Sequence, residues 1–561
     1  MRRSTLVIAI ASLIALAAPM GAQAATESLV TVGSQSLALP FPQNKQNEPA
    51  VAIDPSNPRV VAAGANDEID EPPCDGSDCP FAQGIGNSGV YFSFNGGASW
   101  TQPTYTGFSG RGGSLGTGPI GTLPHYAEQG LVSDGDPGVA FGPRPGANGR
   151  FSWANGSRLY YSNLASNFST ERSEATFKGF EAIAVSRADR VQAAAANDAS
   201  AWSDPAIVTE QHQSQTTFSD KPAMTADDAA SSPSFGNLYV CYSRFNSQQP
   251  DGPIKIGFSR STDGGQTFSS PKTISTAAKV LTQDGRQGCS VATDSRGNVY
   301  VAWEDAVQKG SVFKIARSTN GGRSFSTPHV VAQVSDVGVF DGVRSFSFDG
   351  VAGARTSSFP SLSIANGAPS GAGAPNTIAL GWSDAADGLN HEHALVELSA
   401  DGGKTWSAPE AVEQSGDRPD FAFLGISPNG SDLYVVYDAF VDPFRQNTTD
   451  SRRFLGVLRR AHVSGTSLSA LTTLDRGARG DARASSANAL IDEFIGDYNA
   501  VDATNAGAVA VFNDARNGSV CPAINSFRQA TVDGTAGAPP AAATSCRPTF
   551  GNTDIRAAVA P

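Results

Sequence analysis

Glu48, Asp136, Lys221, Arg418 and Asp497 each introduce a short apolar run, and together they are side chains that carry charge and exchange protons. The runs read E-P-A-V-A-I-D, D-P-G-V-A-F, K-P-A-M-T-A-D, R-P-D-F-A-F and D-Y-N-A-V-D. Two more begin at Gly288 (G-C-S-V-A-T-D) and Phe359 (F-P-S-L-S-I), while Asp220, Arg286, Arg355, Asp417 and Tyr498 stand close by. If these runs converge as the inner strands of a radial fold, carboxylates and cations line one funnel. Such a funnel suits a ligand: carboxyls give and take protons, and arginine forks hold anions. The competing assignment is structural, because Asp-Pro and Glu-Pro steps also start turns.

Two further groups of polar residues carry chemistry by type. Asp67, Glu68, Asp70, Glu71, Asp75 and Asp78 crowd one segment, and Asp134 and Asp136 form D-G-D. Calcium takes several oxygens from flexible loops, so calcium is the one cofactor these loops suggest, although no D-x-D-x-D-G loop is present and a solvated acidic loop reads equally from the composition. His391-Glu392-His393 sets two imidazoles on one face of a strand, without an identifiable third metal ligand, and no metal ligand set is assigned.

The elements that must position these residues are strands. Most runs are followed by a second apolar run, such as L-Y-V-C-Y from Leu238, V-Y-V-A-W from Val299 and L-Y-V-V-Y from Leu433. Continuous apolar runs of this length, bounded by Gly, Asn and Asp, fit strands covered on both faces. A further phrase recurs four times: S-F-N-G-G-A-S-W from Ser93, S-T-D-G-G-Q-T-F from Ser261, S-T-N-G-G-R-S-F from Ser318 and S-A-D-G-G-K-T-W from Ser399. Asn95, Asp263, Asn320 and Asp401 can accept backbone N–H bonds, and the glycines supply positive φ. Trp100, Phe268, Phe325 and Trp406 then plug each turn into a hydrophobic layer. Hairpin tips recurring at long intervals signal a radial β repeat.

These four phrases resemble the Asp box, or BNR repeat, of sialidase-superfamily β-propellers of the exported bacterial type. The resemblance implies an all-β propeller of four-stranded antiparallel blades, with the boxes on the face away from the ligand site. Seven run starts predict seven blades; six, the sialidase number, is the alternative if the last unit merges with the N-terminal segment. By that resemblance Asp136 is the acid/base and Tyr498 the nucleophile of a retaining glycoside hydrolase, with Asp497 beside them. Glu48, Lys221, Arg286, Arg355 and Arg418 are the substrate-binding set. The R-I-P phrase that carries the family's first arginine is absent, and Glu48 stands in its place. Three functions are therefore carried forward. One is a sialidase-like propeller that binds or hydrolyses glycans. Another is a non-catalytic propeller presenting rim loops to a protein or polysaccharide. The third is a glycosidase of the xyloglucan-cleaving kind, with Asp136 and either Asp420 or Asp497 as its pair, acting on neutral glycans.

The rest of the chain bounds the class. Arg2 and Arg3, an apolar run from Leu6 to Ala18 and the A-x-A step Ala22-Gln23-Ala24 read as a secretory signal over residues 1–24. Residues 25–561 then form one propeller domain, secreted or periplasmic. Formal charge is −13, from 40 Lys+Arg and 53 Asp+Glu, with no basic cluster, which argues against nucleic acid and anionic membranes. A glycan or polysaccharide, or a surface protein, is the expected partner, and a monomer the expected state. Six cysteines in an exported chain predict disulfides, for which the expected pairing is Cys74–Cys79, Cys241–Cys289 and Cys521–Cys546. Short helical turns are expected near Arg187 to Ala199 and Ser485 to Phe494, and the Gly/Ser-rich stretch at 109–122 as a rim excursion.

Overall fold

A computed structural model describes residues 24–32, 44–76, 78–209, 214–246, 254–275, 286–307, 310–341, 345–348, 354–469, 471–490 and 492–561. The segment read as a secretory signal lies outside these, except for Ala24. Among the described residues the strands form nine sheets, of which seven antiparallel ones are arranged radially and two are two-stranded hairpins, and the fold is a seven-bladed β-propeller. Inner strands are Gln46–Ile53, Gly138–Pro145, Thr217–Ala226, Arg286–Thr293, Ser361–Ile364, Arg418–Ile426 and Ala500–Thr504. Each packs against the next, and the seventh packs against the first, so the ring is closed.

Closure uses the N-terminus. Thr26–Leu29 is the outermost strand of the seventh blade, paired antiparallel with Asp554–Ala560 from Thr26↔Val559 to Leu29↔Arg556. Glu27 fixes this strand by accepting from Arg516 Nη1 at 2.5 Å and Arg556 Nη1 at 2.8 Å. The merger that was expected to yield six blades therefore completes a seventh.

Each of the four repeated phrases follows a blade's third strand and makes the same turn. Gly97 N donates to Ser93 Oγ at 2.9 Å, and Ser99 N to Asn95 Oδ1 at 3.0 Å. Equivalent bonds close the other three on Ser261/Asp263, Ser318/Asn320 and Ser399/Asp401. Both glycines of every turn have positive φ, from 65° to 92°. Gly97 abuts Val559 and Val509 of the seventh blade, and Gly322 abuts Phe258 of the third, so the turns fasten blade to preceding blade. Phe325 packs edge-on against Phe258 at 4.8 Å. Trp100 and Trp406 are only half-buried, and their indole N–H groups donate to Ser28 Oγ and to the Gly403 carbonyl.

All three expected disulfides form, with Cα separations of 5.7 Å (Cys74–Cys79), 6.3 Å (Cys241–Cys289) and 5.1 Å (Cys521–Cys546). Cys241–Cys289 joins the third and fourth blades. The other two pack together with Leu490, Ile524, Ala542 and Phe550 in a separate apolar cluster. Three disulfides are consistent with an extracellular protein; among the described residues no helix is long and apolar enough to cross a membrane. Helix is sparse, as expected. The longest, Pro522–Val532, lies in an insertion inside the seventh blade that the strand pattern did not reveal. The rim stretch at 109–122 contains half of a hairpin, Tyr105–Ser109 with Gly116–Ile120.

Candidate functional site

Four of the seven inner strands share a defect at their entrance. Pairing with the second strand slips between Asn47 and Ala50, Asp220 and Ala223, Gln287 and Ser290, and Asp420 and Phe423. Glu48 (φ 55°), Lys221 (52°), Gly288 (56°) and Phe421 (49°) sit at these bulges in the left-handed region, as Asp136 (52°) does ahead of Gly138–Pro145. A bulge re-aims one side chain out of the sheet, and non-glycine residues held at positive φ store about 1 kcal/mol or more each. Phe359 and Tyr498 hold the corresponding steps of the fifth and seventh blades. This register corrects the sequence alignment: the sixth blade's equivalent of Glu48 is Phe421, three residues after Arg418, and the seventh's is Tyr498, one after Asp497. The Arg-Pro step at 418 mimics Lys221-Pro222, but its strand starts earlier, with Arg418 opposite Phe440.

Around this ring the structure brings together Glu48, Asp136, Asp220, Lys221, Arg355, Asp497 and Tyr498. Arg355 forks onto Asp497, Nε to Oδ1 at 2.8 Å and Nη2 to Oδ2 at 2.5 Å, and its Nη2 lies 3.7 Å from Glu48 Oε1. The Lys221 ammonium binds the same Asp497 carboxylate, while its backbone N–H donates to Asp136 Oδ2 at 3.2 Å. Asn66 ties the first two blades: its Nδ2 donates to Glu48 Oε2 at 2.7 Å and its Oδ1 accepts from Asp136 N at 2.7 Å. The Asp136 carboxyl lies beside those of Glu48 and Asp220, and the three act on one another's ionisation. Below them the channel continues as a cavity of about 200 Å³ lined by Pro49, Pro137, Pro222, Phe359 and Tyr498.

Electrostatics divide the carboxyls. Burial, then the neighbouring Glu48 charge, pushes the Asp136 carboxyl up to about 7. Asp220 also rises to about 7, through burial and the Asp136 charge, against the pull of Lys221. Burial and Asp497 raise Glu48. Burial opposes ionisation of Asp497 too, yet Arg355 and Lys221 hold its carboxyl well below the ordinary carboxylate range. The Tyr498 hydroxyl is pushed well above its usual value by burial and by the surrounding carboxylates, so it stays protonated.

Other predicted site residues lie elsewhere. Arg286 is buried and faces Asp305 at 3.5 Å. Arg418 is buried in a fork with Glu392, Nη2 to Oε1 at 2.8 Å, its guanidinium over the Phe348 ring. Asp420 is fully buried, accepts from Thr356 Oγ1 at 2.6 Å and faces Asp438 across the strand pair. The acidic segment is largely engaged by protein donors: Asp67 accepts from Tyr91, Gln46 and Gln102, Asp70 from Gly121 and Thr122, and Glu71 from Ala82. His393 bridges Asp387 and Glu413. Among the described residues no group of three or more His, Cys, Asp or Glu side chains is placed to hold a metal. Asn66 and Asn513, which donates through Nδ2 to the Tyr498 carbonyl at 3.2 Å and accepts from Glu48 N at 3.1 Å, were not legible as site residues. Both lie at the ends of second strands, and nothing in their local sequence marks them.

No protein-family model matches the chain, and no curated protein matches it. Among solved structures, a Hadza microbial sialidase, Hz136, aligns over 70% of this chain at 12% identity and a TM-score of 0.39; this chain spans 63% of its length. The α-L-arabinofuranosidase Arb93A of Fusarium graminearum aligns over 74% of this chain and 92% of its own, at 11% identity and 0.39. A PL25 ulvan lyase aligns over 84% of this chain and 92% of its own, at 9% and 0.41. At these values the propeller assignment rests on the strand pairing described above.

Proposed function

We propose that this chain is a glycoside hydrolase working at the channel mouth on glycans that carry no carboxylate, with Asp136 as acid/base and Asp497 as its ionised partner. One observation carries the reading: two carboxyls bound to a single lysine have environments that drive their proton affinities apart. Such divergence is how one site keeps an acid and a carboxylate at the same pH. Asp136 donates its proton to the glycosidic oxygen as the bond to the anomeric carbon breaks. Asp497 stabilises the positive charge developing on the ring, and Asp136 then takes a proton from the attacking water. Arg355, whose side chain is 49% exposed, withdraws from Asp497 to admit the sugar.

The same geometry argues against sialic acid. Of the three arginines expected to clamp a carboxylate, only Arg355 is at the mouth, and both cations there are engaged by Asp497. Glu48 repels an anionic ring by about 1 kcal/mol at 4 Å in water and by more where water is excluded.

A panel of neutral aryl glycosides beside an aryl sialoside tests the proposal. Turnover of a neutral substrate, lost by about 10²-fold or more in Asp136→Asn and Asp497→Asn, supports it. Sialoside turnover abolished in Tyr498→Phe overturns it in favour of the tyrosine nucleophile. The depth of Glu48 and Asp497, each 2% exposed, favours a second reading, a non-catalytic propeller. Glycan-array binding without turnover of any substrate decides for that one.

A further inference from the structure

The channel has a second chamber at its other end, independent of the mouth. It holds about 340 Å³, the scale of a small-molecule site, and is enclosed by the ends of the inner strands. Its cover is a strap from the fifth blade that passes over the fourth and docks on the third. Asn366 Nδ2 donates to Asp228 Oδ1 at 2.7 Å, Ala230 N to the Pro369 carbonyl at 3.0 Å, and Ser231 N to the Ser370 carbonyl at 3.0 Å. Trp153 Nε1 clamps the strap by donating to the Pro369 and Asp228 carbonyls, both at 3.2 Å.

Two carboxyls face this chamber from well-separated parts of the ring: Asp228 from the third blade and Asp502 from the seventh. Asp502 is held by Ile53 N at 2.7 Å and Ala503 N at 2.8 Å, one bond to each oxygen, which leaves a lone pair on each for a ligand. Among the described residues lining the chamber there is no lysine, arginine or histidine. The remaining walls alternate prolines and aliphatic groups (Pro58, Pro369, Ile364) with hydroxyls and amides. Burial lifts Asp228 to about 7, with Asp502 adding to the rise, and burial lifts Asp502 to about 6. Each carboxyl thus lacks a cation of its own in a cavity too large for a bare metal ion.

We infer that this chamber binds a small organic diammonium, one amino group on Asp228, the other on Asp502, and the methylene spacer against the proline walls. An ammonium supplies three donors to a carboxylate, and an apolar linker matches the aliphatic lining.

The probe is 1,4-diaminobutane at pH 8, where both carboxyls are ionised, measured by calorimetry and thermal shift on the full chain. Saturable binding, at least 10-fold weaker for n-butylamine and absent for 1,4-butanediol, is expected. Asp228→Asn and Asp502→Asn should each weaken it 10-fold or more while keeping the melting temperature of the ligand-free protein within a few degrees. Should Asp502→Asn fail to fold, Asp228→Asn still reports on the chamber. Equal binding of the diol would make the chamber a polyol site and overturn the inference. So would diamine binding untouched by Asp228→Asn, or no saturable binding at all. None of these results bears on turnover at the mouth, which separates the two proposals.

Discussion

Arg355 meets Asp497 fork to fork, from a connection between the fourth and fifth blades to the residue that leads into the seventh. The contact crosses the axis of the ring and ties blades that are not neighbours. It also keeps the Asp497 charge in place while burial raises the carboxyls of Glu48, Asp136 and Asp220 beside it.

Arg355→Ala should cost about 1–2 kcal/mol at pH 7, a bidentate charge-assisted pair discounted for the arginine's exposure. Asp497 has a depressed carboxyl, so its contribution is present above the unfolded value near 4 and is lost as pH falls through the folded one. The stability gap between wild type and Arg355→Ala should therefore narrow below about pH 4, which urea titrations at pH 3 and pH 7 can read. An unchanged gap would show that the fork does not hold the charge.

Asp136 gives the opposite sign. Its carboxyl lies at about 7 in the fold and near 4 when unfolded, so the folded state binds the extra proton between these values. Stability from this group is full below pH 4 and is lost as pH rises through 7, at about 1.4 kcal/mol per unit. Asp136→Asn should flatten that part of the pH–stability curve, being close to neutral in stability below pH 4 and stabilising relative to wild type at pH 8. If Asp136 is the acid of the proposed reaction, kcat/KM on a neutral glycoside should fall above about pH 7.

The repeated turns allow a paired test. Gly97 and Gly403 both have positive φ, 92° and 79°, but an added Cβ would lie 2.9 Å from Val559 Cγ2 at Gly97 and 3.8 Å from its nearest neighbour at Gly403. Gly403→Ala should cost about 1–2 kcal/mol, the left-handed penalty alone. Gly97→Ala should cost a further 1–2 kcal/mol or so from overpacking against the seventh blade. Equal losses on chemical denaturation would mean that the first turn is not wedged between blades.

Removing the disulfides should follow the length of chain each closes. With separations of 48, 25 and 5 residues, the loop-entropy rule gives losses of about 4, 3.5 and 2 kcal/mol for Cys241→Ser, Cys521→Ser and Cys74→Ser. A smaller effect for Cys241→Ser than for Cys74→Ser would point to residual structure linking the third and fourth blades in the unfolded chain.

Much of this architecture is legible in the sequence because it is local. A Ser-x-Asp-Gly-Gly turn closes on its own side chains, so Ser261 to Phe268 announces itself without reference to any other residue. The cysteines could be paired because Cys241 and Cys289 fall in the apolar runs of consecutive units. Register is different: a bulge depends on which residues lie opposite, and Phe421, the true counterpart of Glu48, is hidden behind an Arg-Pro step that imitates Lys221-Pro222. The same difficulty placed Arg286 and Arg418 at the mouth, whereas Arg286 is committed to Asp305 on its paired strand and Arg418 to Glu392, just ahead of a strand of the fifth blade. Asn66, Asn513 and the chamber at Asp228 and Asp502 arise only when strands distant in sequence are wound into one ring.

The strand Thr26–Leu29 is synthesised long before its partner, Asp554–Ala560. Until the two meet, the seventh blade presents a bare outer edge, with unpaired backbone donors and acceptors from Asp554 to Ala560. A second copy's N-terminal segment offers the same hydrogen bonds and the same Glu27 acceptor for Arg516 and Arg556. Crowded refolding should therefore favour strand-exchanged dimers over closed monomers, and dilution should favour the reverse.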